Sequence, residues 1–285
     1  MGEKGLVNVD FQPIADVTNN LIDKISDAIG WMVQPKGEKA YQLEAETYLK
    51  DKIMSDESIP LYQRTALASK VRILIKEYIN QNDIIQLATE YLTTTSKPEL
   101  VDDEWLFFFF DKCKNVGNQE VQQLWGKLLA GECTQQGSVS RALIHSLSIM
   151  DTESANRFKV LCRFAVNITE HNKNINFKIP LLFTKNGKDY DYIYQRKGLH
   201  IANIYDLETC GLIHINERGF VREYMQNETV DIKYGNFFHS QKMHRGDFLS
   251  IGSVMLTRAG LELLNYIDVE PIKGFELYLN DMVRK

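Results

Sequence analysis

The sequence lacks the short motifs by which common enzyme classes are recognised. It contains no GxxxxGK[ST] or GxGxxG phosphate loop, and HExxH, GxSxG and paired HxE and CxxC motifs do not occur. The six histidines are scattered, and the spacing of His239 and His244 does not place both on one helical face, as a metal site on a helix requires. We therefore expect no catalytic, cofactor-binding or metal-binding residues. Enzyme activity is left undecided, but it is the less favoured interpretation.

Cysteine is scarce, and long uncharged runs do not occur. The four cysteines, Cys113, Cys133, Cys162 and Cys210, stand far apart without a CxxC pair, which argues against a zinc clip and a disulfide framework. A membrane-spanning helix needs about 18 uncharged residues, and no window approaches that length. The N-terminal segment has no basic region followed by an apolar one, as a secretory signal would. We expect a soluble, cytoplasmic protein with reduced thiols.

Positive charge is not in excess. The 285 residues are 44% hydrophobic and 25% charged, a composition typical of a globular protein with a core. The net charge is -5, so the chain as a whole does not attract nucleic acid. Nucleic-acid binding would need a local patch in which basic side chains grip phosphates and aromatic rings stack on bases. The best candidates are Lys233, Tyr234, Lys242, His244 and Arg245. Because acidic residues lie among them, we expect weak binding at most.

The first predicted helix carries an apolar stripe on one side. Its members recur at three- and four-residue steps: Ile14, Val17, Leu21, Ile25, Ile29 and Met32. The polar side offers Asp16, Asp23 and Asp27 against Lys24, so an anionic membrane would repel it. We expect the stripe to meet a protein surface, in this chain or in a second copy, which favours a homo-oligomer or a protein partner. Peripheral membrane contact is the alternative.

Helical periodicity continues to about residue 171. In the segment 61–80, the side chains predicted to face the core are Leu67, Val71, Leu74, Ile75, Tyr78 and Ile79. The run Trp105 to Phe110 is apolar on every side and predicts the centre of the core, with an exposed partner-binding face as the alternative. We expect Trp105, Phe109, Trp125 and Leu128 to be buried together. Asp102 to Glu104 suit a helix N-terminus, and Asn118 suits a helix cap.

After residue 172 the pattern changes to short β-branched and aromatic runs. Predicted strands are Lys178 to Phe183, Leu212 to Ile215, Val230 to Tyr234 and Ser253 to Leu256, with a helix over Gly198 to Cys210. The order helix, strand, turn, strand, strand and helix is winged-helix-like. The predicted fold class is mostly α, a helical N-terminal bundle followed by a smaller α+β winged-helix-like domain. Its parts are an amphipathic helix (1–36), a helical domain (37–171) and the α+β domain (172–285).

Several segments carry a family resemblance. Residues 101–106 (VDDEWL), 123–132 (QLWGKLLAGE) and 137–141 (GSVSR) resemble an uncharacterised bacterial family with the signature DDDW…FF…LWxxiLAGE…PGSfS. The turn from Ile29 to Pro35 and the segment 256–263 (LTRAGLEL) resemble the family's "GIG…P" and "LTxAGxEL" elements. Gln136 departs from the pattern, because the family has proline there. The family is one of unknown function, so the resemblance implies no chemistry.

The layout of an amphipathic first helix, a helical middle and a winged-helix-like end is similar to the abortive-infection alpha proteins of phage defence. This resemblance implies a non-enzymatic intracellular phage-defence protein that acts through self-association or partner contact. The alternative is a winged-helix nucleic-acid-binding protein. A third class is a hydrolase whose residues come together only on folding.

Overall fold

Two units make up the chain in the computed structural model, which describes residues 12–30, 39–182 and 190–283. Unit 1 is Met1–Arg141 and unit 2 is Ala142–Lys285. The sequence analysis placed a domain boundary at residue 171, whereas the two units divide at residue 141. The reason is that the two helices after residue 141 pack with the strands and helices that follow them. A Cβ at Gly211 would lie 3.3 Å from Ser146 Oγ, for example.

Unit 1 is helical throughout its described residues. Its elements are α1 (Gln12–Ile29), α2 (Lys39–Ser55), α3 (Leu61–Thr89), a 3₁₀ helix (Pro98–Leu100), α4 (Asp103–Cys113) and α5 (Gln119–Thr134). The helix α1 packs against α4 and the 3₁₀ helix, while α3 packs against α2 and α5. The predicted caps are confirmed, since Asp102 accepts a hydrogen bond from Trp105 N at 2.8 Å and Asn118 accepts from Glu120 N and Val121 N. These side chains satisfy backbone N–H groups that the first helical turn leaves without partners.

An aromatic cluster forms the core of unit 1. Trp105, Phe109, Trp125 and Leu128 are all buried, as the sequence predicted, and the Phe109 ring lies 5.0 Å from the Trp105 ring and 5.1 Å from that of Trp125. The prediction for the whole Trp105 to Phe110 run is wrong at one position, because the side chain of Phe107 is 67% exposed. At 100° per residue Phe107 points away from the side that Trp105 and Phe109 share. One side of α4 therefore builds the core and the other faces solvent.

Unit 2 mixes helices with short strands. The helices are α6 (Arg141–Ile149), which starts at the boundary, α7 (Thr152–Cys162), α8 (Tyr190–Gln195), α9 (Ile201–Thr209), α10 (Arg258–Leu264) and α11 (Phe275–Val283). The strands are β1 (Ala165–Glu170), β2 (Ile175–Pro180), β3 (Ile213–Ile215), β4 (Val221–Glu223), β5 (Glu228–Tyr234), β6 (Phe237–Met243), β7 (Phe248–Ser250) and β8 (Val254–Leu256). Gly211 has φ of 75° just after α9, the left-handed conformation in which many helices end. The α+β class is therefore correct.

A four-stranded antiparallel sheet in the order β2-β1-β5-β6 dominates unit 2. Two short ladders, β3 with β8 and β4 with β7, complete the pairing among the described residues. The strand β1 was predicted as the end of a helix; that helix stops at Cys162, and the next residues alternate, with Val166 and Ile168 buried. One side of the sheet thus faces the core. Side chains of the other side, such as Asn167 and Lys233, face outward.

Candidate interaction surfaces

The apolar stripe of α1 is covered at its centre within unit 1. Leu21 and Ile25 are fully buried, and Lys24 forms an ion pair with Asp103 of α4 at 2.5 Å. Val17 and Ile29 are half-buried, Ile14 is exposed, and Met32 lies outside the described residues. The stripe therefore meets a protein surface of its own unit, and its central side chains are not available to a partner.

The predicted nucleic-acid residues do not form one surface. Tyr234 is buried, and its hydroxyl donates to Arg163 O at 2.6 Å and accepts from Ile272 N at 2.6 Å. Burial also raises the pKa of this phenol. Since both sides of the hydroxyl are occupied and the ring is enclosed, Tyr234 belongs to the core and is not free to stack on a base.

The four basic candidates are exposed but separated. Lys233 pairs in register with Phe238 near the β5–β6 turn, whereas Lys242 lies at the far end of β6, about 14 Å along the strand. His244 and Arg245 follow in the turn before β7, where His244 N donates to Asp247 Oδ2 at 2.7 Å. Only Lys242, His244 and Arg245 are therefore neighbours.

The acidic run at the start of α4 has a structural role at each position. Asp102 caps the helix, Asp103 pairs with Lys24, and Glu104 lies 3.2 Å from the Arg141 guanidinium. In the part of the chain that the structure describes, no group of three histidine, cysteine or acidic side chains is placed to hold a metal ion. The absence of a bound metal stays a prediction.

The family-like segments form one hydrogen-bonded network in unit 1. The buried Glu132 carboxylate accepts from Gly137 N at 2.7 Å through Oε1 and from Val139 N at 2.9 Å through Oε2. Trp105 Nε1 donates to Val139 O at 2.8 Å, which ties α4 to the same loop. Gln136, at the family's proline position, donates its side-chain amide to Leu100 O. These hydrogen bonds hold α4, α5 and this loop together.

Gly126, which lies in the segment 123–132, has a packing role. A Cβ at this position would lie 2.9 Å from Leu87 Cβ and 3.0 Å from Ala88 N, closer than real contacts allow. The helices α3 and α5 can approach this closely only because Gly126 has no side chain.

The long helix α3 leaves part of an apolar side uncovered. Leu67, Leu74, Gln81 and Ala88 recur every seven residues and so share one side of the helix. Gln81 and Ala88 are buried, and the Gln81 amide donates to Phe110 O of α4 at 2.7 Å. Leu67 and Leu74 are 44% and 53% exposed, contrary to the predicted core-facing role. The reason is that α4 and α5 cover this side only from about residue 80 onward.

Other apolar side chains extend this uncovered region. Ile73, beside Leu74, is 56% exposed, and Leu61 and Tyr62 are exposed at the start of α3. On the neighbouring helix α2, Tyr48 and Leu49 are also exposed. We call Leu67, Ile73 and Leu74 the α3 stripe. Sequence periodicity located Leu67 and Leu74 but not Ile73, and it could not show that nothing among the described residues covers them.

Within the described residues, no helix combines the length and the apolar character needed to cross a membrane. Comparison with known proteins gives no match among curated proteins and none among solved structures. A family model, described as a protein of unknown function (DUF2806), matches residues 69–280. This match covers well over half of the chain and contains the α4–α5 signature network. The chain belongs to the DUF2806 family of proteins of unknown function.

Proposed function

We propose that this protein is a non-enzymatic phage-defence protein that acts by self-association through the uncovered part of α3. The observation that supports self-association is the exposure of the α3 stripe. Further along α3, Gln81 and Ala88 lie on the same side as Leu67 and Leu74 and are buried. Patches of adjacent exposed apolar side chains commonly mark protein contacts. The resemblance to abortive-infection alpha proteins supports the setting, in which the protein acts inside an infected cell.

A second copy fits the geometry of the stripe. The uncovered part of α3 runs from Leu61 to about Ile79, so its midpoint is close to Lys70. In an antiparallel pair around a two-fold axis at this midpoint, Leu67 of each copy would face Leu74 of the other. Two-fold dimers are the commonest oligomers, because one patch serves both subunits.

The available area limits the strength of this contact. Burying an aliphatic side chain fully contributes about 1.5–3 kcal/mol, and these are already about half buried, so roughly 1 kcal/mol each is expected. Three side chains from each copy contribute about 6 kcal/mol, against an association cost of at least about 4 kcal/mol. We therefore propose a weak dimer whose population depends on protein concentration.

Light scattering tests the proposal. A net gain of about 2 kcal/mol corresponds to a Kd of roughly 30 mM, so we expect the weight-average mass of the wild-type protein to rise above the monomer value of 32.9 kDa only at about 1 to 5 mM. Leu74→Glu should stay monomeric, because it removes an apolar contact and dimerisation would have to desolvate the new carboxylate. Gln123→Glu, at an exposed position on α5, is the matched control and should behave like the wild type. Equal masses for the wild type and Leu74→Glu would contradict the contact.

Phage challenge of cells tests the biological part. Cells that express the wild-type protein or Gln123→Glu should resist infection, and cells with Leu74→Glu should lose the resistance while keeping the same protein level. Full resistance in the monomeric variant would show that self-association is not the mode of action. If cells with the wild-type protein show no resistance either, the phage-defence proposal is wrong. Light scattering would then still decide whether the α3 contact forms.

Nucleic-acid binding through a winged-helix arrangement in unit 2 is the second proposal. It is supported by the order of α9, β3, β8 and α10, in which α9 packs on β3 and β3 pairs with β8. The exposed side chains of Lys242, at the end of β6, and of His244 and Arg245, in the turn that follows, would contact the phosphate backbone of the nucleic acid. We expect Arg245→Glu to weaken binding to duplex DNA; unchanged binding would count against this arrangement.

A further inference from the structure

One row of side chains crosses the outward side of the four-stranded sheet. In register, Lys178 of β2 pairs with Asn167 of β1, Asn167 pairs with Lys233 of β5, and Lys233 pairs with Phe238 of β6. Residues paired in antiparallel strands point to the same side of the sheet, so these four lie side by side. The row therefore brings together two lysines that are 55 positions apart in the sequence.

A cavity of about 190 Å³ opens beside this row. Its cationic lining residues are Arg163, Lys178 and Lys233, and no acidic side chain of the described residues lines it. Arg163 is held in place at two points, because its Nε donates to Glu270 O at 3.0 Å and its carbonyl oxygen accepts from the Tyr234 hydroxyl at 2.6 Å. The cavity is thus fixed by backbone contacts and surrounded by positive charge.

The cations at this cavity lack carboxylate partners among the described residues. Neither Lys178 nor Lys233 forms an ion pair there, although the whole chain has a net charge of -5. The acidic residue one row further along, Asp231, is engaged by His171 at 2.6 Å. Adjacent strands are about 4.8 Å apart, so the two lysines flank Asn167 closely enough for both ammonium groups to contact one anion above it. Three like charges around one cavity favour an anionic ligand.

The thiol in the same cavity does not suggest a reaction. Cys162 lines the cavity but is buried, and burial raises the pKa of the thiol far above its usual range, while nearby Lys178 has only a small opposing effect. A protonated thiol is a poor nucleophile and a poor metal ligand. The cavity is therefore suited to binding rather than to covalent chemistry.

An exposed aromatic ring ends the row. The side chain of Phe238 is 62% exposed on the edge strand β6, next to Lys233. A cationic groove beside an aromatic platform on an open sheet is the combination by which proteins hold single strands, because phosphates meet the cations and bases stack on the ring. A duplex keeps its bases stacked inside and cannot use the ring in this way.

From these observations we infer that the outward side of the sheet binds single-stranded nucleic acid. Arg163, Lys178 and Lys233 contact a phosphate, Asn167 lies between the two lysines beneath it, and Phe238 stacks on an adjacent base. This site is separate from the α3 stripe and from the turn at His244 and Arg245, so it does not depend on either proposal above.

Fluorescence anisotropy of the full chain with labelled single-stranded DNA and RNA 15-mers, which are much longer than the row (about 14 Å across four strands), tests the site. Each phosphate contact contributes about -0.7 to the slope of log affinity against log salt, so one phosphate held by the three cations predicts a slope of about -0.7. The double variant K178E/K233E should bind at least about tenfold more weakly, with a slope near zero. Lys197→Glu, an exposed charge reversal elsewhere in unit 2, is the matched control and should leave both values unchanged.

Phe238→Ala separates stacking from charge. It should lower the affinity roughly tenfold while leaving the salt slope unchanged, because it removes a base contact and no phosphate contact. Equal affinities for the wild type, K178E/K233E and Phe238→Ala would overturn the site. Competition by inorganic phosphate or a mononucleotide as effective as the 15-mer would also overturn it, since the cavity would then take a free phosphate. Circular dichroism and light scattering of each variant check that folding and self-association are unaffected.

Discussion

Replacing Glu132 by glutamine should destabilise unit 1, although the two side chains have nearly the same shape. Both carboxylate oxygens accept backbone N–H bonds, from Gly137 at 2.7 Å and from Val139 at 2.9 Å, and the side chain is buried. An amide offers only one acceptor oxygen, so one of these N–H groups would face an NH₂ group. The loop would then lose one of its two hydrogen bonds to Glu132. Its bond from the Trp105 indole N–H to Val139 O would remain.

The size of the effect follows from these contacts. A hydrogen bond to a charged group contributes about 1.5–3 kcal/mol, and a buried donor left without a partner costs about 1–3 kcal/mol. One bond is lost and the other becomes neutral, so we expect Glu132→Gln to lower the free energy of unfolding by about 2–4 kcal/mol. Glu120→Gln, an exposed change in the first turn of α5, should cost under about 1 kcal/mol.

Tryptophan emission during urea unfolding measures this effect in unit 1 alone, because all three tryptophans precede residue 142. With a denaturant dependence of about 2 kcal/mol per molar urea, the unfolding midpoint of Glu132→Gln should fall by about 1–2 M. A midpoint equal to that of Glu120→Gln would show that the carboxylate does not anchor the loop, and the structural explanation of the signature would fail with it.

Three further changes test the packing and the charges of the two units. Trp125→Ala should cost about 3–5 kcal/mol in urea unfolding, because it empties the centre of the aromatic core, whereas Trp125→Phe should cost much less. Gly126→Val should lower the unfolding midpoint by separating α3 from α5, with overpacking of about 1–3 kcal/mol. In unit 2, Arg222 binds Glu170 at 2.7 and 2.8 Å and lowers the pKa of this buried carboxyl, so the pair stabilises at neutral pH and its contribution is lost as the pH falls through the lowered pKa. Arg222→Gln should therefore reduce the hydrogen-exchange protection of β1 at neutral pH and leave less of it to be lost as the pH falls, and an unchanged pH dependence would contradict the role of the pair.

Local signals in the sequence located the helices of unit 1 well. Side-chain caps at Asp102 and Asn118 are short-range features, and each accepts backbone hydrogen bonds where the sequence predicted a helix start. Burial of Trp105 and Trp125 followed from periodicity in the same way. Such features need only a few neighbouring residues, so one sequence is enough to find them.

The sequence alone could not predict which part of the chain packs on the apolar side of a helix. Leu67 and Leu74 follow the same seven-residue spacing as Gln81 and Ala88, yet only the latter pair is buried. The difference arises because α5 begins opposite the middle of α3, which depends on the tertiary arrangement. The spacing of apolar residues shows which side of a helix seeks contact, but the partner has to come from the structure.

The row on the sheet was beyond prediction for a related reason. Lys178 and Lys233 become neighbours only because β1 pairs with both β2 and β5, and β1 itself was predicted as helix. A register shift of one residue in either pair would turn one lysine to the opposite side of the sheet. The sequence search therefore found Lys233 but grouped it with Tyr234, its immediate neighbour, whose side chain points into the core.

The family match includes the whole sheet site but only part of the surface around the α3 stripe. Residues 69–280 include every member of the sheet site, from Arg163 to Phe238, together with the α4–α5 signature network. The helices α1 and α2, the start of α3 and Leu67 lie outside the match. A protein that shares only the matched region would therefore contain the positions needed to bind a single strand, but not the full surface for self-association. If both proposals hold, nucleic-acid binding is the property that the matched region can carry by itself, and dimerisation through α3 is specific to chains with this N-terminal extension.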